Sequence, residues 1–261
     1  MKAHQPVTLQ THGDAVGLLR QSGFALLDAA QFAMQHGLEA PMLDRLRASW
    51  DGLPRDTWLR DGGRYRFRRH SCFIYTPTED LLELQPHRAH WQPKDYNALH
   101  GGIERWFEPI EAHVLAHPVW SAVLRGLGRQ LAQLRSVEHW CIEAHQFRID
   151  ASEGIGRPTP EGAHRDGVDF VAVILVQRRD VRGGETRVFE ADGLSGVRFT
   201  MTEPWSALLL DDARIIHETT PIRPNGPNPV RDTLVLTYRE HGFQSPHSEI
   251  PACPTRVANS K

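Results

Sequence analysis

Cysteine is scarce: Cys72, Cys141 and Cys253 are the only three in 261 residues, and no C-x-x-C pair exists to hold zinc or form a redox disulfide. An odd, widely spaced set of this kind suits a reducing cytoplasm. No stretch approaches the ~20 consecutive apolar residues that span a bilayer, and the opening Met1 to Leu9 is polar with no apolar run behind it. Neither a membrane partner nor an export signal is expected. Charge of one sign is lacking too, since 30 Lys and Arg face 32 Asp and Glu without long blocks of either. No overall positive field would draw the chain to phosphates, so nucleic acid is not an expected partner. Internal repeats and low-complexity linkers are missing, and the Pro/Asn/Gly-rich residues 221–229 are few enough to be one loop. A chain of this length buries a substantial core, and β-barrels of this size are commonly undivided, so one catalytic domain over 1–261 is expected.

What is present changes character near residue 135. Before it, Val16, Leu18 and Leu19, then Leu38, Met42, Leu43 and Leu46, recur at helical spacing around a short strand, Phe24 to Leu27. Residues 52–75 read as a hairpin-like segment turning at Gly62-Gly63, with basic side chains on one face. From Gly101 to Leu134, Ile103, Trp106, Phe107, Ile110, Val114, Val123, Leu127 and Leu131 again predict helix. Gly126-x-Gly128 within it reads as a local helix irregularity, because no strand precedes it and a phosphate-binding fingerprint is incomplete. After residue 136 short strands are predicted at 139–149, 168–177, 185–191, 196–202, 205–211, 213–218 and 232–239, with Gly183-Gly184 and Asp211-Asp212 where hairpins should reverse. This order, a helix-rich part (1–135), a β core (136–240) and a tail (241–261), predicts a mainly β fold: an antiparallel barrel or jelly roll with helices packed outside.

Chemistry concentrates in PEGAHRDGVDFVAVIL. His164 and Asp166 are two apart, so on an extended chain both side chains leave one face and can converge on an ion. His217 ends a second apolar strand that a barrel can return to the same mouth. Two histidines and a carboxylate occupy one face of an octahedron and leave positions open, the ligand set of non-haem iron(II) oxygenases. Spacing alone leaves an alternative, in which His164 and Asp166 form a solvated turn and His217 is an edge-strand histidine. Arg231 lies at the head of RDTLVLTYR, and a hairpin from the His217 strand would set the two strands side by side. Period-two alternation puts Arg231, Thr233, Val235 and Thr237 on one face, where a guanidinium fork and a hydroxyl suit a buried carboxylate. A surface arginine paired to Asp232 or Glu240 is the alternative.

Taken together, PEGAHRDGVDFV, the RGGET turn, LLLDDARIIHETTPI and RDTLVLTYR resemble the bacterial 2-oxoglutarate/iron dioxygenases typified by L-isoleucine 4-hydroxylase. Tyr96 to Ile110 is similar to that family's helical segment and His145 to Ile149 to the strand entering its site, so the resemblance covers roughly residues 64–240. It implies a double-stranded β-helix (jelly-roll, cupin-like) and Fe(II) held by His164, Asp166 and His217. It also implies 2-oxoglutarate with its far carboxylate on Arg231, and O2 as the second co-substrate. The implied reaction is hydroxylation of a free L-amino acid, with succinate and carbon dioxide as by-products; Asp166 leaves no position for a halide, so halogenation is not expected.

Further candidates have structural alternatives. Arg148 and Gln146 can face the interior and meet a polar substrate, or form a structural salt bridge. Thr186 can contact 2-oxoglutarate or substrate beside Gly183-Gly184. Asp169 is a candidate substrate contact and, with Glu161, a candidate to orient the ligating histidines. Arg64, Arg66, Arg68 and Arg69 can receive a substrate carboxylate, a solvated strand face being the favoured reading. Two other functions stay open at this point: a zinc hydrolase using the same triad, and a barrel that only binds a small acid.

Overall fold

The computed structural model of the protein describes residues 13–193 and 195–246. Met1 to Leu9, Cys253 and most of the expected tail lie outside the described residues.

Asp14 caps α1 (Ala15–Ser22) by accepting from Gly17 N, and a left-handed Gly23 ends it and hands the chain to β1 (Phe24–Leu27). A capping box between Asp28 and Gln31 opens α2 (Ala29–Gln35), and α3 (Ala40–Leu43) continues into a 3-10 helix (Asp44–Trp50). Then come β2 (Arg66–Thr76), β3 (Leu81–Leu84), α4 (Ala112–Leu115) and α5 (Pro118–Ala132). The rest is sheet: β4 (Trp140–Asp150), β5 (Phe170–Arg179), β6 (Val181–Gly183), β7 (Thr186–Glu190), β8 (Gly196–Phe199), β9 (Ala207–Asp211), β10 (Ile215–Thr219), β11 (Ile222–Pro224) and β12 (Val230–Arg239).

A seven-stranded antiparallel sheet, ordered β1-β9-β5-β12-β4-β2-β3, faces a smaller layer made of β10-β7-β8 and β11-β6. This is the jelly-roll architecture expected from the strand pattern. Helices cover the outer face of the large sheet, where Phe32, Leu127, Trp120 and Trp140 bury against Leu234, Leu236 and Tyr238. Between the layers, Val171, Leu175, Val188, Leu208 and Ile215 form a second apolar cluster. One layer of side chains seals the sheet outside and the other closes part of the space inside; a cavity occupies the rest.

Four expectations about local structure need correction. Residues 101–111 are turns and extended chain, not helix, so Tyr96 to Ile110 carries no helical segment. Arg105 and Phe107 point in while Trp106 points out, so two-residue alternation placed apolar groups at positions that also satisfy a helical count. Residues 52–61 form no strand: β2 pairs with β4 and β3, and the earlier segment meets it at a single antiparallel bridge, Arg55–Phe67, with the Asp56–Arg66 ion pair beside it. Gly183-Gly184 and Asp211-Asp212 do not reverse hairpins: each carries the chain from one sheet to another. Both glycines are left-handed (φ 83° and 69°), and a Cβ on Gly183 would strike the Pro221 carbonyl. Finally, β12 pairs with β4 and β5, not with the His217 strand β10, so Arg231 reaches the interior from the opposite layer. Gly126 and Gly128 lie in regular α5 helix, where their missing side chains admit His36 and Tyr75.

Candidate active site

Antiparallel register lays out the cavity wall in rows across β2, β4 and β12. Arg66, Ile149 and Arg231 form the first row, Arg68, Phe147 and Thr233 the second, His70, His145 and Val235 the third, and Cys72, Glu143 and Thr237 the fourth. Most of these side chains line the cavity, whose other wall carries His164, Asp166, His217, Thr219 and Glu161.

His164 and His217 stand directly opposite each other in an isolated bridge, exchanging both backbone hydrogen bonds at 3.0 Å. That exchange brings the two rings to a 4.7 Å centroid separation. His164 Nδ1 donates to the Gly162 carbonyl at 2.9 Å, which leaves Nε2 as the lone pair facing the cavity. Asp166 completes the set, with Oδ1 3.9 Å from His164 Nε2 and Oδ2 3.8 Å from His217 Nε2. An ion ~2.0–2.2 Å from each ligand atom bridges such separations. Burial and the neighbouring His164 hold His217 well below the ordinary histidine range, so it is neutral, as a ligand must be. Burial also acts to lower His164, but the Asp166 and Glu161 carboxylates outweigh it and raise it, the response of a site built for positive charge. The residues fit a divalent metal.

Asp212, read from the sequence only as a turn, holds this loop. Its carboxylate accepts from the backbone N–H groups of Asp166 (2.9 Å), Gly167 (2.8 Å) and Val168 (3.1 Å). Gly167 is left-handed (φ 74°), and a side chain there would run into Tyr96 and Gln244.

Arg231 is 3% exposed, and among the described residues it has no carboxylate within ion-pair distance. Burial, and then Arg178, pull its guanidinium down to about 10, and its Nε has no partner. A fully buried cation without a counterion is costly unless an anion arrives to pair with it. Thr233 stands beside it on the same face, as alternation requires.

The other expected contacts divide. Gln146 and Arg148 point away from the cavity: Gln146 Nε2 donates to Ser49 Oγ at 2.8 Å, and Arg148 pairs with Asp232 (2.7 Å) and Asp51 (2.9 Å). On β4 the cavity face belongs to His145, Phe147 and Ile149 instead. Asp169 pairs with Arg135 and accepts from Glu240 N, and it is not among the residues that line the cavity. Thr186 is buried behind the wall, 3.5 Å from the Thr219 hydroxyl, and it is Thr219 that lines the cavity. Glu161 does not sit behind the His164 ring. It stands 3.6 Å from Nε2, on the cavity side, and its Oε2 is buried without a partner.

Arg66 and Arg68 reverse the favoured expectation of a solvated face: both are buried and line the cavity, while Arg69 pairs outside with Glu108 and Glu111. Asp56 binds Arg66 at 2.7 Å and lies 3.9 Å from Arg68, whose guanidinium is sandwiched between Phe107 (3.8 Å) and Phe147 (4.3 Å). Arg105, which sequence reasoning passed over inside a supposed helix, is 2% exposed, and among the described residues no carboxylate lies within ion-pair distance of it. Burial and Arg66 pull it down to about 10, opposed by Asp56 and Glu161.

A second histidine-rich group, His70, His90, His145 and Glu143, is buried beside the cavity. It is a hydrogen-bonded carboxylate rather than a ligand set. Arg68 donates to His145 Nδ1 at 2.8 Å, which puts the proton on Nε2, where a metal would bind. The His70 and His145 rings are stacked within 16° of parallel, so their lone pairs do not converge. His90 Nδ1 lies 2.5 Å from Glu143 Oε2, too close for two ligands of one ion at ~2.0–2.2 Å in tetrahedral geometry.

The profile of the 2OG-Fe dioxygenase family matches residues 47–237. A crystal structure of a bsmA homolog from Methylobium petroleophilum PM1 is 54% identical, with a TM-score of 0.85 over 89% of this chain and 94% of that one. IDO from Bacillus thuringiensis is 19% identical (TM-score 0.72, covering 88% of this chain and 98% of that one). An oxidoreductase of the 2OG-Fe(II) oxygenase family from Burkholderia pseudomallei is 16% identical (TM-score 0.55, covering 91% and 95%). These last two share the fold. No curated protein matches the sequence.

Proposed function

The chain belongs to the 2OG-Fe dioxygenase family, and from that premise we propose that it hydroxylates an unactivated C–H bond of a free L-amino acid. As a member it is an oxidoreductase that uses Fe(II), 2-oxoglutarate and O2; the hydrolase and binding-only alternatives fall. His164, Asp166 and His217 would hold the iron, and Arg231 with Thr233 the far carboxylate of 2-oxoglutarate. Bound iron supplies the activation of O2, coupled to decarboxylation of 2-oxoglutarate to succinate and carbon dioxide.

One observation carries the choice of substrate. Beyond Arg231 the cavity wall holds a second buried guanidinium without an ion pair, Arg105, and near it a buried carboxylate oxygen without a partner, on Glu161. A free amino acid brings one group for each: its carboxylate to Arg105, with Arg68 alongside, and its ammonium to Glu161. Both protein charges are then paired in a place where an unpaired charge is costly. Resemblance to the isoleucine 4-hydroxylase group supports the same class. Among the described residues no helix is long and apolar enough to cross a membrane, and the widely spaced cysteines support a cytoplasmic setting.

The test is succinate formation across free L-amino acids, their N-acetyl derivatives and short peptides. At least one free amino acid should stimulate turnover, and its N-acetyl derivative, which lacks the ammonium, should not. Stimulation by acetylated or peptide forms alone overturns the proposal.

A further inference from the structure

Gln92 is buried, and the orientation of its amide is dictated by neighbours whose own roles are unambiguous. The His100 backbone N–H donates to Asn97 Oδ1 at 2.7 Å, so Asn97 must turn its Nδ2 outward, and that atom donates to Gln92 Oε1 at 3.1 Å. Arg105, a donor only, reaches the same oxygen through Nη2 at 3.0 Å. With two donors on its oxygen, the amide presents Nε2 on the other side, where it donates to Asp166 Oδ1 at 3.1 Å. The backbone is pinned as well: His90 and Arg105 exchange hydrogen bonds at 2.9 and 3.0 Å, and Gly102 N donates to Gln92 O at 2.8 Å.

We propose that Gln92 is a positioning residue for the metal-binding carboxylate. Its N–H engages a lone pair of Oδ1, which stands 3.9 Å from His164 Nε2, and leaves Oδ2, 3.8 Å from His217 Nε2, as the oxygen with no donor among the described residues and free for the ion. Asp166 is thereby held to a single oxygen toward the metal, and the positions that a second oxygen would fill stay open for co-substrates. Arg105 strengthens the arrangement by polarising the amide, since hydrogen bonds in a chain reinforce one another. None of this depends on what the prime substrate is.

The experiment uses the purified protein with Co(II) as the only ligand, followed by its visible d–d absorption, with no substrate or 2-oxoglutarate present. Gln92→Leu should weaken Co(II) binding about tenfold or more, the range seen when a partner of a metal ligand is removed. It should also shift the d–d bands, because Asp166 is free to turn. Wild-type affinity and spectrum in folded Gln92→Leu overturn the proposal. Should near-UV circular dichroism show that Gln92→Leu is unfolded, Gln92→Glu decides. It keeps an acceptor for Arg105 and Asn97 and replaces the donor facing Asp166 by a carboxylate oxygen that repels it. A shifted spectrum there supports the proposal, and an unchanged one overturns it.

Discussion

At the scale of single residues, Arg231 is the buried cation on which the proposed binding of 2-oxoglutarate turns. Its burial is already complete and no carboxylate among the described residues pairs with it, so the pocket is charged in advance for a carboxylate. Breaking a buried charged pair commonly costs ~3–5 kcal/mol, and every ~1.4 kcal/mol is tenfold. Arg231→Ala should therefore raise the 2-oxoglutarate concentration for half-saturation on the order of a hundredfold or more and leave Co(II) binding intact. Arg231→Lys keeps charge but loses the bidentate fork and should fall between. Titrating 2-oxoglutarate against metal-loaded variants reads this directly; an unchanged half-saturation in Arg231→Ala moves the anchor elsewhere. The inward placement of Arg231 and the clustering of the triad were legible because two-residue alternation and the H-x-D spacing are properties of a local extended chain. Arg105, Gln92 and Asp212 were not, because their roles are set by partners far along the chain: Asp212 sits 46 residues from the Asp166 amide it binds. Gln146 and Arg148 were misjudged by one position of phase. Either face of β4 carries polar groups, and only the neighbouring strands show which face is inside.

Among elements, the strands of the core were readable from alternation, and most ends fall within a residue or two of expectation. Pairing was not readable, since β10 and β12 are separated only by the three-residue β11 yet belong to different layers. The helices show what a histidine can do as a packing residue. His36, at the end of α2, fits over Gly126 of α5, where any side chain would collide with its ring. Its Nδ1 meets the Phe32 carbonyl at 2.7 Å and its Nε2 is buried without a partner. Burial holds it down to about 4, from an ordinary value of 6.5. The unfolded chain thus takes up a proton near pH 6.5 that the folded chain refuses until near pH 4. Stability from this contact is complete above pH 6.5 and is lost as pH falls toward 4, by up to about 3 kcal/mol. Urea unfolding at pH 7 and pH 4.5 should show a smaller loss in His36→Leu than in wild type. Equal losses would mean that the ring is accessible to protons in the folded state.

For the whole molecule, a helical layer fills one face of the large sheet, and that leaves the inner face free to carry charge. Four buried arginines, Arg66, Arg68, Arg105 and Arg231, line one cavity with Asp166 and Glu161, a concentration that a purely structural barrel would not maintain. The jelly-roll class was visible in the run of short strands. The cavity's charge pattern was not, because β2 supplies Arg66 and Arg68 from residues that read as a solvated strand face and Arg105 comes from a segment that read as helix. On the proposed reading, this cavity couples 2-oxoglutarate to oxidation of a free amino acid. The most direct test is incubation with Fe(II), 2-oxoglutarate, 18O2 and the mixed L-amino acids, with mass spectrometry of every product. One labelled oxygen on a free amino acid should accumulate in step with succinate. Succinate formed with every amino acid unlabelled would contradict it.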